Sequence, residues 1–172
     1  MAGLCNDQAN TCLELLKLGF LTRGAIVLGE LYHRESCVFG PALIRAVEME
    51  KNEAFYPRIL VHDDVISLCN DFYNNHPGTA RGDIIQDHLC RNVVNIFHLP
   101  EKICFPDGYK PTPGLNTPSN VIWESIERSL NEYDGPESRK EWEKWSYLKS
   151  FLEQVVFKEL TFRGSKTPRK TA

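Results

Sequence analysis

The chain has 172 residues, 42% hydrophobic and 25% charged, the proportions of one ordinary globular domain with room for a helical appendage. A formal net charge of −3 and a pI near 6.0 exclude a global electrostatic drive toward nucleic acid or anionic membrane, so no specific nucleic-acid or membrane partner is expected. No apolar run approaches the roughly 20 residues that span a bilayer, and the start does not read as a signal peptide.

The opening segment Asp7 to Gly19 reads as one helix whose Cys12, Leu13, Leu15, Leu16 and Leu18 make a broad apolar side, with Gly19 as its stop. Arg23 to Gly29 (RGAIVLG) is a short apolar run with a glycine near each end. It is too short for a stable helix and reads as a buried strand. Glu30 to His33, the polar turn Arg34-Glu35-Ser36 and Cys37-Val38-Phe39 then suggest a strand and its return. Gly40-Pro41 opens a helix, because proline suits a first turn whose N–H groups lack helical partners. Along it Leu43, Ala46, Val47 and Glu50 recur at helical spacing, which predicts that Leu43, Ala46 and Val47 share the buried face, while Arg45, Glu48 and Lys51 lie on the polar side. Pro57 stops further helix, and Arg58 to Val61 reads as another strand.

The acidic pair Asp63-Asp64 is read as the cap of a helix from Val65 to Tyr73 in preference to a metal site, since a carboxylate there accepts orphan N–H groups and meets the positive helix end. Residues 76–116 read as irregular, with turns at NNHPG, Phe105-Pro-Asp-Gly-Tyr and Pro111-Thr-Pro-Gly, and with candidate strands at Asp83 to Ile85 and Asn92 to Leu99. His88 and His98 lie here without a second ligand at metal spacing, so structural histidines are expected. Thr117-Pro118 starts a helix to about Tyr133 with Val121, Ile122, Ile126, Ser129 and Leu130 as its stripe and Trp123 at the margin, broken by Asp134-Gly135-Pro136. A second helix starts at Ser138. Its Trp142, Trp145, Leu148, Leu152, Val155, Val156 and Glu159 repeat near 3.5 residues, so 117–162 is expected to form an antiparallel helical hairpin. A solvated basic tail is expected over 163–172.

The six cysteines, at 5, 12, 37, 69, 90 and 104, form no C-x-x-C pair and no short Cys/His ligand spacing. Free thiols in a reducing cytosol are the expectation, hence a cytoplasmic protein. No G-x-x-x-x-G-K-[ST], G-x-S-x-G or H-E-x-x-H occurs, which removes the commoner nucleotidase, hydrolase and zinc-protease readings.

Over roughly residues 10 to 66 the ordered run RGAIVLGELYH, CVFGPALIRAVEMEK, YPRILV resembles the second half of a class III nucleotidyl cyclase domain, most closely the cyclases of bacterial pyrimidine-cyclase antiphage defence (the Pycsar type). Gly24, Gly29, Val38, Phe39, Gly40, Pro41, Ala42, Leu43, Ala46, Glu48 and Glu50 match the family pattern, and YLKSFLEQVV is similar to its closing helix. The resemblance implies an α+β fold with a partial ferredoxin-like core in residues 1–75 (helix, strand hairpin, helix, strand). It also implies nucleotide-facing roles at Cys37, Gly40 and Glu48, and a homo- or heterodimer with nucleotide as a possible ligand. Cys37 takes the position that reads the base edge; read from the residues alone, it is a small buried strand residue.

Family chemistry needs two divalent ions to activate the ribose 3′-hydroxyl and neutralise the leaving pyrophosphate. In the family the aspartates that hold them precede the helix where this chain starts, and the asparagine expected after G-P-A-L is Ile44. The expectation is therefore an incomplete or degenerate cyclase-like protein without intrinsic cofactor, using Mg2+ or Mn2+ only if a partner completes the site. Its alternative is an active pyrimidine-nucleotide cyclase whose metal-binding segment is missing from this chain. Absence of the first strands would also leave an unpaired sheet edge.

Overall fold

The structure is a computed structural model that describes residues 2–76, 84–97 and 118–164, the side chains at 2–4, 6, 118–119 and 156–164 excepted. The chain divides into two compact units, Met1–His98 and Leu99–Ala172.

The first unit begins with α1 (Ala2–Lys17). Cys5, Ala9, Cys12, Leu13 and Leu16 are buried on it, a stripe at helical spacing that is worth about 1.5–3 kcal/mol for each large apolar side chain removed from water. Gly19, at φ 84, closes the helix: its N–H donates to the Leu16 carbonyl and that of Phe20 to the Leu15 carbonyl. The expected apolar role of Leu18 is corrected here. Because the helix ends at Lys17, Leu18 turns outward and is 72% exposed.

Strand β1 (Gly24–Ile26) is shorter than the buried run read from RGAIVLG, and its three residues are only half-buried. It pairs in parallel with β4 (Ile59–Val61), all three of whose residues are buried. The Gly24 N–H donates to the Arg58 carbonyl and the His62 N–H to the Ile26 carbonyl. Alternation along a strand therefore aims the N–H and carbonyl of Ala25 away from β4, and among the described residues β1 is the edge of a four-stranded sheet in the order β1-β4-β6-β5. Between β1 and β4 the chain makes a separate two-stranded hairpin, β2 (Tyr32–Arg34) and β3 (Cys37–Phe39), followed by α2 (Pro41–Glu53).

Helix α2 is rotated from its expected setting. Ala42 and Met49 are buried, while Leu43, Ile44 and Val47 are 38%, 61% and 41% exposed. The cause is the contact with the loop after β1. A Cβ built on Gly29 would stand 3.2 Å from the Ala42 Cβ, so only the line of small residues through Ala42 and Ala46 can approach the backbone that closely, and the bulkier stripe turns to solvent.

After β4, α3 (Asp63–Asn75) buries Val65, Cys69 and Tyr73. Its N-cap is His62 and neither aspartate: the ring Nδ1 accepts from the Asp64 N–H at 3.2 Å. β5 (Ile84–Gln86) and β6 (Asn92–Val94) fall at the two candidate strands within the otherwise irregular stretch, β6 ending at Val94 short of the expected run, and β6 bonds antiparallel to both β4 and β5. Asp83 and His98 lie outside the described residues, as do Thr117 and residues 165–172.

The second unit is the expected helical hairpin, α4 (Pro118–Glu132) against α5 (Arg139–Gly164), joined through a short 3-10 turn at Pro136–Ser138. Ile122 and Ile126 on α4 and Trp145, Tyr147, Leu148, Phe151, Leu152 and Val155 on α5 are buried, and Lys149 ties the pair of helices by donating to Glu127 at 2.5 Å. Trp142, expected on the stripe, is 40% exposed because it lies in the first turn of α5. The helix also runs to Gly164, beyond the expected end at residue 162.

Among the described residues two non-glycine residues hold left-handed backbone, Glu35 at φ 53 and Cys90 at φ 58, both in hairpin turns. A side chain costs about 1–2 kcal/mol there, and glycine returns part of that gain as unfolded-state entropy. Cys90→Gly is therefore expected to raise the urea midpoint by the equivalent of up to about 1 kcal/mol; a lowered midpoint would show that the thiol packs usefully.

Candidate functional site

The candidate site is the junction of hairpin and helix. Gly40 precedes α2 at φ 147, and a Cβ there would lie 2.7 Å from the Glu30 carbonyl oxygen and 3.1 Å from the Leu31 Cα. The Ala42 N–H, one of the helix's orphan donors, reaches that same carbonyl at 3.2 Å. Two glycines, 29 and 40, thus let the chain before the hairpin lie directly on the start of α2, and Arg45 locks the arrangement by donating to the Leu28 carbonyl and, at 3.2 Å, to Asp64.

Cys37 stands opposite Arg34 in the hairpin and is exposed. That corrects its reading as a buried strand residue: the hairpin is a two-stranded sheet separate from the main one, and all six of its strand residues are exposed. Gly40 is close to it in the chain. Glu48 is not brought to them; it lies eight residues after Gly40, about 12 Å along the helix, and is exposed on α2. Ile44 sits one turn into the helix and is 61% exposed.

The carboxylates near this end of the sheet already have partners. Asp64 receives Arg45 and Asp63 receives the Asn92 amide at 3.3 Å. Among the described residues no group of three or more His, Cys, Asp or Glu side chains could hold a metal ion.

A second polar cluster escaped the sequence reading. Arg58 Nη1 donates to Asp87 Oδ2 at 2.6 Å, with 5% and 0% of the two side chains exposed, and Arg58 Nη2 donates to the Glu53 carbonyl at 3.0 Å. The other Asp87 oxygen accepts the N–H groups of Leu89 and Arg91, each at 2.9 Å, so one buried carboxylate shapes the β5–β6 turn and neutralises the arginine entering β4. Glu53 pairs with Arg91, and these groups border a polar cleft with His62, Asp63 and Cys90. The available signal was the turn D-H-L-C-R, an aspartate that can bond N–H groups two and four residues on.

Of the described thiols, Cys5, Cys12 and Cys69 are buried and Cys37 and Cys90 exposed. Burial pushes the Cys12 thiol up, a hydrogen bond with Thr22 pulling the other way. Its folded-state pKa is thus raised: stability is full while both states keep the proton and declines as pH rises past the unfolded thiol's value near ~8.5. Titration with an aromatic disulfide is expected to modify Cys37 and Cys90 fast, so that Cys37→Ser and Cys90→Ser each remove one fast-reacting thiol equivalent, while Cys5, Cys12 and Cys69 react slowly. Fast labelling of Cys12 at neutral pH would contradict the fold.

Fold and site together define an α+β protein built on a small mixed sheet, with a hairpin arm seated on a helix start. No family model, no curated protein and no solved structure matches the chain. Among the described residues no helix is long and apolar enough to cross a membrane.

Proposed function

We propose that the chain is an incomplete or degenerate nucleotidyl-cyclase-like protein of the Pycsar type, non-catalytic on its own and acting in the cytoplasm by association with itself or with a complete cyclase-like chain. The observation that carries this reading is the order strand, hairpin, helix, strand over β1 to β4, in which Gly29 and Gly40, both in the resembling run, are the residues whose lack of a side chain permits the hairpin junction. Support for the non-catalytic half comes from Asp63, Asp64 and Asp87, each engaged in a structural bond, and from Ile44, which offers no donor to a ribose or phosphate oxygen where the family carries asparagine. Mg2+ or Mn2+ would enter only with a site completed by the partner, with Cys37 and Gly40 toward the nucleotide and Glu48 about two turns further along the helix.

The outward-facing Ala25 backbone at the β1 edge favours a second reading, an active cyclase of a pyrimidine nucleoside triphosphate making a 3′,5′-cyclic product, its metal aspartates on a strand outside this chain. Incubation of the purified chain with each of the four nucleoside triphosphates and Mn2+, followed by chromatography for cyclic mononucleotide, tests the first reading. No product is expected, and turnover at ordinary enzymatic rates would overturn it. An in-frame aspartate-bearing strand encoded upstream would favour the second.

A further inference from the structure

Histidine stands outside the usual set of helix caps, and at the start of α3 its use makes the cap depend on charge. His62 has the extended backbone of an N-cap, at φ −70 and ψ 150, and its Nδ1 accepts from the Asp64 N–H at 3.2 Å. Only a neutral ring with its proton on Nε2 keeps a lone pair at Nδ1 for that bond. A hydroxyl or carboxamide cap holds its acceptor at any ordinary pH, whereas imidazole as a class changes charge between about pH 5 and 8.

A protonated ring has a second partner within reach. Asp64 Oδ2 lies 3.3 Å from the same Nδ1, and this oxygen is the one that takes Arg45 Nη2 at 3.2 Å. Arg45 in turn donates to the Leu28 carbonyl, in the chain that lies on the start of α2. One carboxylate oxygen therefore stands between a titratable ring and the arginine that holds the hairpin arm. When Nδ1 gains a proton it turns from acceptor to donor. The Asp64 N–H loses its bond, a positive charge appears at the positive end of the α3 dipole, and Asp64 Oδ2 gains a cationic donor that competes with Arg45. The side chains of His62, Asp64 and Arg45 are 33%, 51% and 41% exposed. Exposed pairs of this kind are weak enough to be traded one for another.

The other ionisable groups around the ring have their own engagements. Glu53 of α2 and Arg91 of the β5–β6 turn, which line the polar cleft with His62, pair with each other. Asp63 receives the Asn92 amide, and the Cys90 thiol lines the same cleft. β1 meets His62 through the backbone, the His62 N–H donating to the Ile26 carbonyl.

We propose that His62, Asp64 and Arg45 form a pH-sensitive latch: protonation of His62 uncaps α3 and draws Asp64 away from Arg45, which loosens the hairpin arm carrying Cys37 from the start of α2. The latch rests on the geometry of the junction and not on the cyclase reading.

Amide exchange of the full chain, read by NMR as protection factors between about pH 5 and 8, separates the steps when the His62 ring resonances are followed in the same samples. As His62 takes its proton, the Val65 and Ile66 amides, which bond the His62 carbonyl, should lose about fivefold in protection, the worth of a typical cap. The Ala42 amide, bonded to the Glu30 carbonyl, should lose roughly two- to fivefold with the same midpoint, the scale of an exposed ion pair. Leu60, buried in the sheet, is the reference for global opening and should not change. His62→Asn keeps a cap acceptor at every pH and should hold both sets of amides at their neutral-pH protection. Asp64→Asn should leave Ala42 poorly protected at neutral pH and indifferent to acid. His76→Asn, at the other end of α3, should leave the response intact.

A His62 ring that titrates with no change at Val65 and Ala42, or that stays neutral down to about pH 5, overturns the proposal. So does an equal loss at Leu60, or a response that survives His62→Asn. Loss at Val65 with Ala42 unmoved overturns it as well, because the cap would then have no hold on the arm.

Discussion

Asp87→Ala is expected to destabilise the first unit by about 3–5 kcal/mol, because it strands the buried Arg58 guanidinium without its counter-charge and frees two turn N–H groups, those of Leu89 and Arg91. Small domains hold only about 5–15 kcal/mol in total, so urea unfolding should move to a much lower midpoint. The pair itself is a different quantity from either member. Bringing two charges out of water costs nearly as much as their attraction returns, so Arg58→Met with Asp87→Leu should recover much of the loss. The recovery cannot be complete, since leucine offers the turn no acceptor. If Asp87→Ala moved the midpoint by less than the equivalent of about 1 kcal/mol, the bond at 2.6 Å would have to be solvated in solution.

Gly40→Ala should be the second large effect, about 2–6 kcal/mol. It combines a backbone region that only glycine adopts comfortably, at about 1–3 kcal/mol, with a methyl forced onto the Glu30 carbonyl, where overpacking adds about 1–3 kcal/mol. Relief requires the chain before the hairpin to lift from α2, which breaks the Ala42 to Glu30 bond and reorients the arm. Loss of hairpin geometry should therefore accompany the lower stability, read as increased exchange of the Ala42 amide. Gly24→Ala is the control: a Cβ there meets nothing within 4 Å and its φ lies outside the glycine region, so a change within about 0.5 kcal/mol is expected. Equal losses at the two glycines would show that general strand effects, and not the junction, set the cost.

Much of the chain's organisation is legible from residues near in sequence. Proline at 41 after Gly40, and glycine at 19 past a leucine-rich stripe, mark helix ends by local conformational rules, and α2 and α1 begin and end close to those marks. The hairpin follows from a polar turn between Glu30–His33 and the triplet Cys37-Val38-Phe39, although Arg34, read as part of the turn, joins the first strand. Where periodicity misled, the cause lies outside the segment. The stripe Leu43, Ala46, Val47 has helical spacing, but the loop at Gly29 selected the neighbouring line of small residues for close approach. At α3 the acidic pair was the expected cap, but His62 holds it while Asp63 and Asp64 serve Asn92 and Arg45. Cys37 could be assigned to a strand but not to a face, since a two-stranded sheet has no buried side until something covers it.

By itself the sequence determined the kinds of element and several of their limits: strands between turn signals, helices opened by Gly-Pro or closed by glycine, an amphipathic helical hairpin after Pro118, and no helix able to cross a bilayer among the described residues; several strands are shorter than it suggested, at three residues each, and α1 begins at Ala2, ahead of the expected Asp7. Only the tertiary structure decided which faces are buried, that Arg58 and Asp87 meet across 29 residues, and that the hairpin and the apolar flank of α2 stand in solvent. Local propensity acts through backbone sterics and bonds within a few residues. Burial depends on which distant surface approaches closely enough, and here two glycines and one buried carboxylate made that choice.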